Sequence, residues 1–252
     1  GSAGSRSSSR PASGRHRAPR AARDRAPAAD PPSAPLTGQH DDLQLPIYAP
    51  PKNVLPRARV GGALRGKDSA DAEIVALVPD HIGLTVKQTP TLNWFLSKPT
   101  SYPLKFTITD DRKVRPIYEG PLSTPPAAGV HTIDLKTLGL TLEPNVQYRW
   151  FVSASPDSAS HASDIVAGGM IERCEFSECL VTISPKMTCD QDSVRTNATI
   201  GLWYDAMGCV CALIEKSPTD PSLRRLRAAL LRQVGLNGVA DWDLSSIQTK
   251  AR

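Results

Sequence analysis

Asp205 is the one acidic side chain inside the cluster Trp203-Tyr204-Asp205. The cluster lies in "TIGLWYDAMGCVCALIEK" (Thr199 to Lys216), together with Cys209 and Cys211. A carboxylate packed among aromatic rings can serve as a general acid or base if burial moves its pKa. More often such a residue is an acceptor that fixes nearby backbone or an arginine, and that structural role is the expectation for Asp205. If the chain is an enzyme, Glu172 and Arg173, which end "GGMIER", are the charges that would join Asp205 in a cleft. The five histidines (His16, His40, His81, His131, His161) have neither metal nor triad spacing, so a cysteine nucleophile lacks an evident base. "GGALRGKD" (Gly61–Asp68) nearly spells a phosphate loop, but Asp68 stands where a hydroxyl is required and would repel phosphate. No cofactor and no metal are expected.

The five cysteines are Cys174, Cys179, Cys189, Cys209 and Cys211, and no C-x-x-C is among them. Cys174 and Cys179 flank a turn, and Cys189 stands in a loop before a helix. In an oxidising compartment either a Cys174–Cys179 or a Cys179–Cys189 bridge is plausible. Cys209 and Cys211 sit two apart on a helix and point to different faces, where both read as small buried apolar groups. The odd count leaves at least one free thiol. Asn197-Ala198-Thr199 spells a glycosylation sequon, which its place at a helix start already explains.

The elements that must position these groups are short strands first and helices after. "EIVALVP", "TLNWFL", "LKFTIT", "RPIYEG", "VHTIDL", "VQYRWFVSA" and "GGMIER" are about seven strands between Glu73 and Arg173, with turn residues between them. Alternation puts Leu92, Trp94 and Leu96 on one face, Leu104, Phe106 and Ile108 on another, and Val146, Tyr148, Trp150, Val152 and Ala154 on a third. Period two at this spacing predicts an antiparallel β-sandwich of immunoglobulin or fibronectin type III kind. In "LGLTLEPNVQYRWFVSA", Tyr148 follows a Leu-x-Pro turn and is placed to bond back toward Leu142, as a tyrosine corner does. Trp94 and Trp150 are expected in the core.

After Pro185 the period becomes helical. Ile200, Trp203, Met207, Val210 and Ile214 form one stripe, with Thr196 or Asn197 as cap. A second helix follows, with Asp220 as N-cap, Pro221 at its first position, a stripe of Leu223, Leu226, Leu230 and Val234, and Gly235 as stop. The pair predicts an αα-hairpin. Its arginines, Arg224, Arg225, Arg227 and Arg232, are the candidate partner-binding surface, since guanidinium forks pair with carboxylates.

The organisation expected is a disordered basic tail over 1–44, an extended lead-in over 45–72, the sandwich over 73–184, and the hairpin over 185–252. "RSSSRPASGRHRAPRAARDRAPAADPPSAP" has no apolar period and cannot bury enough surface to offset its ordering entropy. The tail carries seven Arg against four Asp, whereas the other residues are nearly balanced, with 23 Lys and Arg against 21 Asp and Glu. Positive charge is thus not concentrated on a folded surface, and no nucleic-acid partner is expected. No run of 18 apolar residues is present, so no membrane-spanning helix is expected.

Taken together, "GGALRG", "ALVPDHIGLTVKQTPTLNWFLS", "LEPNVQYRWFVS", "GGMIER" and above all "GLWYDAM" resemble a bacterial family, the domain of unknown function numbered 928, from about Gly61 to Leu236. The family is common in cyanobacteria and occurs in exported proteins. Its typical pattern has a Cys after the lead-in, where this chain has Ala70 to Ala72, and a Cys-Asp-Pro where this chain runs into "SPDSASHASDIV". The resemblance implies a location outside the cytoplasm, a fold, and signature residues at Trp94, Tyr148, Trp150, Glu172, Arg173, Trp203, Tyr204 and Asp205, but no activity. The function expected is a non-catalytic binding or scaffold module acting on another envelope protein. The alternative is an envelope hydrolase with its site between sandwich and hairpin.

Overall fold

Eight strands in two sheets, followed by four helices, make up the elements of a computed structural model that describes residues 44–52, 58–61, 72–122, 127–156, 164–175 and 185–249. The strands are β1 (Ile74–Ala76), β2 (Gly83–Thr85), β3 (Thr91–Leu96), β4 (Leu104–Asp110), β5 (Tyr118–Pro121), β6 (Gly129–Asp134), β7 (Gln147–Ala154) and β8 (Ile165–Arg173). One sheet runs β1-β3-β6 and the other β2-β8-β7-β4-β5. Their facing sides form a sandwich-like core around Leu92, Leu96, Phe106, Ile108 and Trp150.

Alternation along each strand decides which side chains enter that core. In β4, Leu104, Phe106 and Ile108 are buried while Lys105, Thr107 and Thr109 between them are half-buried. β3 departs from simple alternation, because all of its residues after Thr91 are buried. Leu92, Trp94 and Leu96 take the inner face, and Asn93 and Phe95 take an outer face that the helices cover. Phe95 meets the ring of Trp242 edge-on at 5.2 Å.

The seven-strand antiparallel expectation is corrected by β2. This three-residue strand runs parallel to β8, with Gly83 opposite Ile171 and Thr85 opposite Arg173. It is too short to show a period. The chain leaves β1, crosses through Leu77–Ile82, and adds to the edge beside the last strand, where its direction is forced.

The two-helix hairpin is also corrected. The helices are α1 (Gln191–Thr199), α2 (Trp203–Lys216), α3 (Pro221–Gln233) and α4 (Asn237–Thr249). Asp190, not Thr196 or Asn197, caps the first, its carboxylate accepting from the Ser193 amide at 2.7 Å. Gly201, at φ 84°, breaks the stretch read as one helix. A side chain there would strain this left-handed backbone and crowd the Ala49 carbonyl. α3 starts as expected, with the Asp220 carboxylate accepting from the Ser222 amide at 2.8 Å and Pro221 at its first turn.

The described part of the lead-in is a strap across the helices. The Tyr48 amide donates to the Gln233 side chain at 2.8 Å, and Gln233 donates back to the Pro46 carbonyl at 2.8 Å. The Ala49 amide donates to the Ala198 carbonyl at 3.2 Å. Arg59 reaches the carbonyls of Val78 and Val234, joining the β1–β2 crossing to the end of α3. The tail expected over 1–44 falls outside the described residues except for Gln44, as does the phosphate-loop lookalike except for Gly61.

Candidate functional site

The Trp203-Tyr204-Asp205 cluster opens α2 and is driven into the end of the sandwich. The Trp203 indole N–H donates to the Leu77 carbonyl at 2.8 Å. The Tyr204 hydroxyl donates to the Met170 carbonyl at 3.0 Å and accepts from the Trp150 indole at 2.9 Å. Tyr204 lies so close to β2 that a Cβ on Gly83 would stand 2.7 Å from its ring, so this position requires glycine. The Asp205 carboxylate accepts from the Val86 amide at 3.2 Å and from the Thr85 hydroxyl. Burial raises the Asp205 pKa above the ordinary carboxylate range, against the partial relief of Lys87 and these hydrogen bonds. The three residues are 0%, 3% and 2% exposed, which closes them to a substrate.

Glu172 and Arg173 do not complete a site with Asp205. As neighbours in β8 they point to opposite faces of the sheet. Glu172 accepts from the Gln147 amide group at 3.0 Å, and Arg173 donates to the Leu142 carbonyl at 3.1 Å. Tyr148 accepts at its hydroxyl from the Glu143 amide, five residues upstream, at 2.9 Å. Trp94 and Trp150 are 3% and 0% exposed in one core, on opposite sheets; Trp94 packs on its cross-strand neighbour His131, and Trp150 bonds to Tyr204.

The four arginines of α3 do not form one surface. Arg227 is 3% exposed and grips Asp243 of α4 through two hydrogen bonds of 2.6 Å. A third N–H of Arg227 points at the Cys211 sulfur at 3.5 Å. Arg224 shares Asp243 at 3.2 Å. Arg225 is exposed, and Arg232 pairs with Asp241 at 2.8 Å on the surface. Reading these residues as a solvated binding face is therefore corrected for Arg224 and Arg227. The signal was present in the sequence: Arg227 lies four residues after Leu223 and four before Leu231, inside the buried stripe, where a charge requires a counter-ion. Asp243 and Trp242 went unseen because α4 did.

Cys189 pairs with Cys209, bridging the segment before α1 to α2. This replaces the Cys179–Cys189 alternative and removes Cys209 from the set of simple buried apolar groups. Cys174 is disulfide-bonded too, and Cys179 lies outside the described residues. Cys211 is the free, buried thiol among the described cysteines, and burial pushes its pKa up. Asn197 of the sequon is 3% exposed, its amide group bonded to both backbone groups of Lys186.

Strand β6 runs between two cavities. On the sandwich side a space of about 300 Å³ is lined by Trp94, Leu122, His131, Ile133 and Leu138. On the helix side a space of about 240 Å³ is lined by Val130, Thr132, Cys211, Glu215, Arg224 and Arg227. Period two along β6 accounts for most of the division: His131 and Ile133 line the first space and Val130 the second, while Thr132, at the exposed edge, lines both. Among the described residues β6 hydrogen-bonds to a strand on one side alone, that of β3. No group of His, Cys, Asp and Glu among the described residues could hold a metal ion, and no helix among them is long and apolar enough to cross a membrane.

Comparison with known proteins adds one strong match. A family model described as Domain of Unknown Function (DUF928) matches residues 60–244. No curated protein matches. Among solved structures, a multi-domain immunophilin from Arabidopsis thaliana aligns at 8% identity over 78% of this chain and 100% of that one. Its TM-score of 0.17 is too low to bear on the fold.

Proposed function

Given that the chain belongs to the DUF928 family, a domain of unknown function, we propose that it is a non-catalytic interaction module that works outside the cytoplasm on another protein of the cell envelope. One observation carries this reading. The most distinctive residues, Trp203, Tyr204 and Asp205, spend their polar atoms on internal hydrogen bonds and are at most 3% exposed. They lock a helix layer to a sandwich, which is what a scaffold requires. A site for hydrolysis would need them reachable and converging with Glu172 and Arg173.

The strand order supports an immunoglobulin-like frame. With β1, β3 and β6 in one sheet and β4, β7 and β8 in the other, we read the two sheets as the A-B-E and C-F-G strands of such domains. Tyr148 at the start of β7, bonded to the Glu143 amide, has the geometry of the tyrosine corner in the equivalent strand. The Cys189–Cys209 bridge fits an oxidising compartment.

The test is capture. The domain, purified with its disulfides intact and carrying a photo-crosslinker, is exposed to the native envelope fraction. One partner retained in stoichiometric amount, and retained equally by Asp205→Asn, is the expected result. Loss of capture in a folded Asp205→Asn protein, or turnover of an envelope component that this variant abolishes, would overturn the reading.

A further inference from the structure

We propose that the lead-in strap is a tethered ligand, and that the groove holding it is a preformed site for an extended Pro-x-Tyr segment, which a partner supplies in the strap's place. The proposal rests on the reading of the chain as a binding module and names the surface and the chemistry of what binds. Residues 44–49 belong to no helix and to neither sheet. Their burial alternates as in an extended segment: Pro46 and Tyr48 point inward, whereas Leu45 and Ile47 are 51% and 70% exposed. The walls of the groove come from within residues 60–244, which match the family, and the strap lies before them.

The groove reads main chain and side chain by different means. Gln233 takes the Pro46 carbonyl and the Tyr48 amide. Arg195 donates to the Gln44 carbonyl, and the Ala198 carbonyl accepts from the Ala49 amide. Any extended chain offers such groups, so they give affinity and not choice. Choice lies at Tyr48. Its ring stacks on His81 at 5.8 Å and meets Trp203 edge-on at 4.9 Å. Its hydroxyl donates to His81 Nε2 at 3.2 Å, because the His81 Nδ1–H is committed to the Ile82 carbonyl at 2.8 Å. Phenylalanine would lose that bond, and an aliphatic side chain would lose the ring contacts too.

The walls stand without the strap. Trp203 is held by the Leu77 carbonyl, His81 by Ile82, Gln233 by the Ala229 carbonyl at 2.9 Å, and Arg195 by Asp192 at 2.9 Å. Side chains already fixed lose little freedom when a segment arrives, which is preorganisation. Trp203 and Tyr204 still join α2 to the sandwich when the strap leaves. A tether holds its ligand at an effective concentration in about the millimolar range. An identical strap from a second copy has no advantage over that, so the occupant in trans is a different protein, whose body adds contacts outside the groove.

The probe is a capped, fluorescent peptide of residues 44–51, Gln-Leu-Pro-Ile-Tyr-Ala-Pro-Pro. The full chain carrying Tyr48→Ala should bind it saturably by anisotropy, with its circular dichroism spectrum unchanged. The wild type should bind at least about tenfold more weakly, because its own strap competes. The peptide with Tyr48→Ala should also bind at least about tenfold more weakly, and the peptide with Ile47→Thr, changed on its outward face, as well as the original. Gln233→Ala, added to Tyr48→Ala in the protein, should weaken binding about tenfold, the worth of two hydrogen bonds. In the wild type the Tyr48 and Ala49 amides should exchange at least about tenfold faster than those of β4, since the strap opens alone. No saturable binding to Tyr48→Ala, unfolding of that variant, or strap amides as slow as those of β4 overturns the proposal. So does a wild-type dimer that Tyr48→Ala abolishes, which would name a second copy as occupant. From the envelope fraction, Tyr48→Ala should retain more partner than the wild type, and the peptide should compete it off. A partner that is retained but not displaced by the bound peptide overturns the proposal and leaves the module reading standing. If the peptide binds while no partner is retained, the module reading falls and the groove remains a Pro-x-Tyr site.

Discussion

Tyr148 and Asp205 show how single polar atoms hold this molecule in place. The Tyr148 hydroxyl satisfies the Glu143 amide at the turn into β7. Tyr148→Phe should therefore cost about 1 kcal/mol in denaturant unfolding, the usual net worth of one hydrogen bond. Asp205 is different, because its burial opposes its charge. Its folded pKa is raised, so the folded state holds the proton more tightly than the unfolded chain. Stability from this group is complete below the unfolded value of about 3.9 and is lost as pH rises through the higher folded value. Asp205→Asn keeps an acceptor for the Val86 amide and removes the charge. Its thermal midpoint should exceed that of the wild type at pH 7, and the gap should close as pH falls toward 4. A gap that widens on acidification would show that the carboxylate stabilises the fold in its charged form.

Among the elements, α3 and α4 depend on each other most. Arg227 cannot be buried without Asp243, and Asp243 belongs to a helix with Gly238 and two serines, whose own propensity is poor. Arg227→Ala should cost up to roughly 3–5 kcal/mol, because it takes two charged hydrogen bonds from a carboxylate that is 0% exposed and leaves it Arg224 alone. Arg225→Ala, on the opposite face of the same helix, should stay within about 0.5 kcal/mol. Urea unfolding of the two variants side by side reads the difference. Replacing Arg227 and Asp243 together by Met and Leu should recover much of the loss, since a well-packed apolar pair often matches a buried ion pair. α4 was not legible from its sequence for a related reason: its place is set by the ion pairs of Asp241 and Asp243 with arginines of α3 and by Trp242 against Phe95, neither of which leaves a periodic trace. β4 was legible residue by residue, because alternation is itself the record of one face buried and one face wet.

At the scale of the whole molecule, the sandwich and the helix layer are fastened by the Trp-Tyr-Asp plug, the lead-in strap and the Cys189–Cys209 bridge. The bridge closes a loop of 20 residues. Chain-entropy reasoning gives such a loop about 3 kcal/mol, and Cys209→Ala should lower unfolding stability by that order under oxidising conditions while leaving the reduced protein nearly unaffected. Local order was written in the sequence. Strand alternation, the Asp220-Pro221 helix start and the Leu223–Val234 stripe all follow from neighbours a few residues apart, whose burial imposes a period. What the tertiary structure alone decided concerns residues far apart in the chain. Cys189 meets Cys209 because Gly201 breaks the helix and folds α1 back beside α2. β2 runs parallel to β8 because the crossing from β1 delivers it to that edge. Arg227, read as a surface charge, became the centre of a buried ion pair once α4 supplied Asp243. That β6 pairs with a strand on one side alone among the described residues, with a cavity on either face, is likewise a property of how two sheets and a helix layer come together, and no pattern within the six residues of β6 records it.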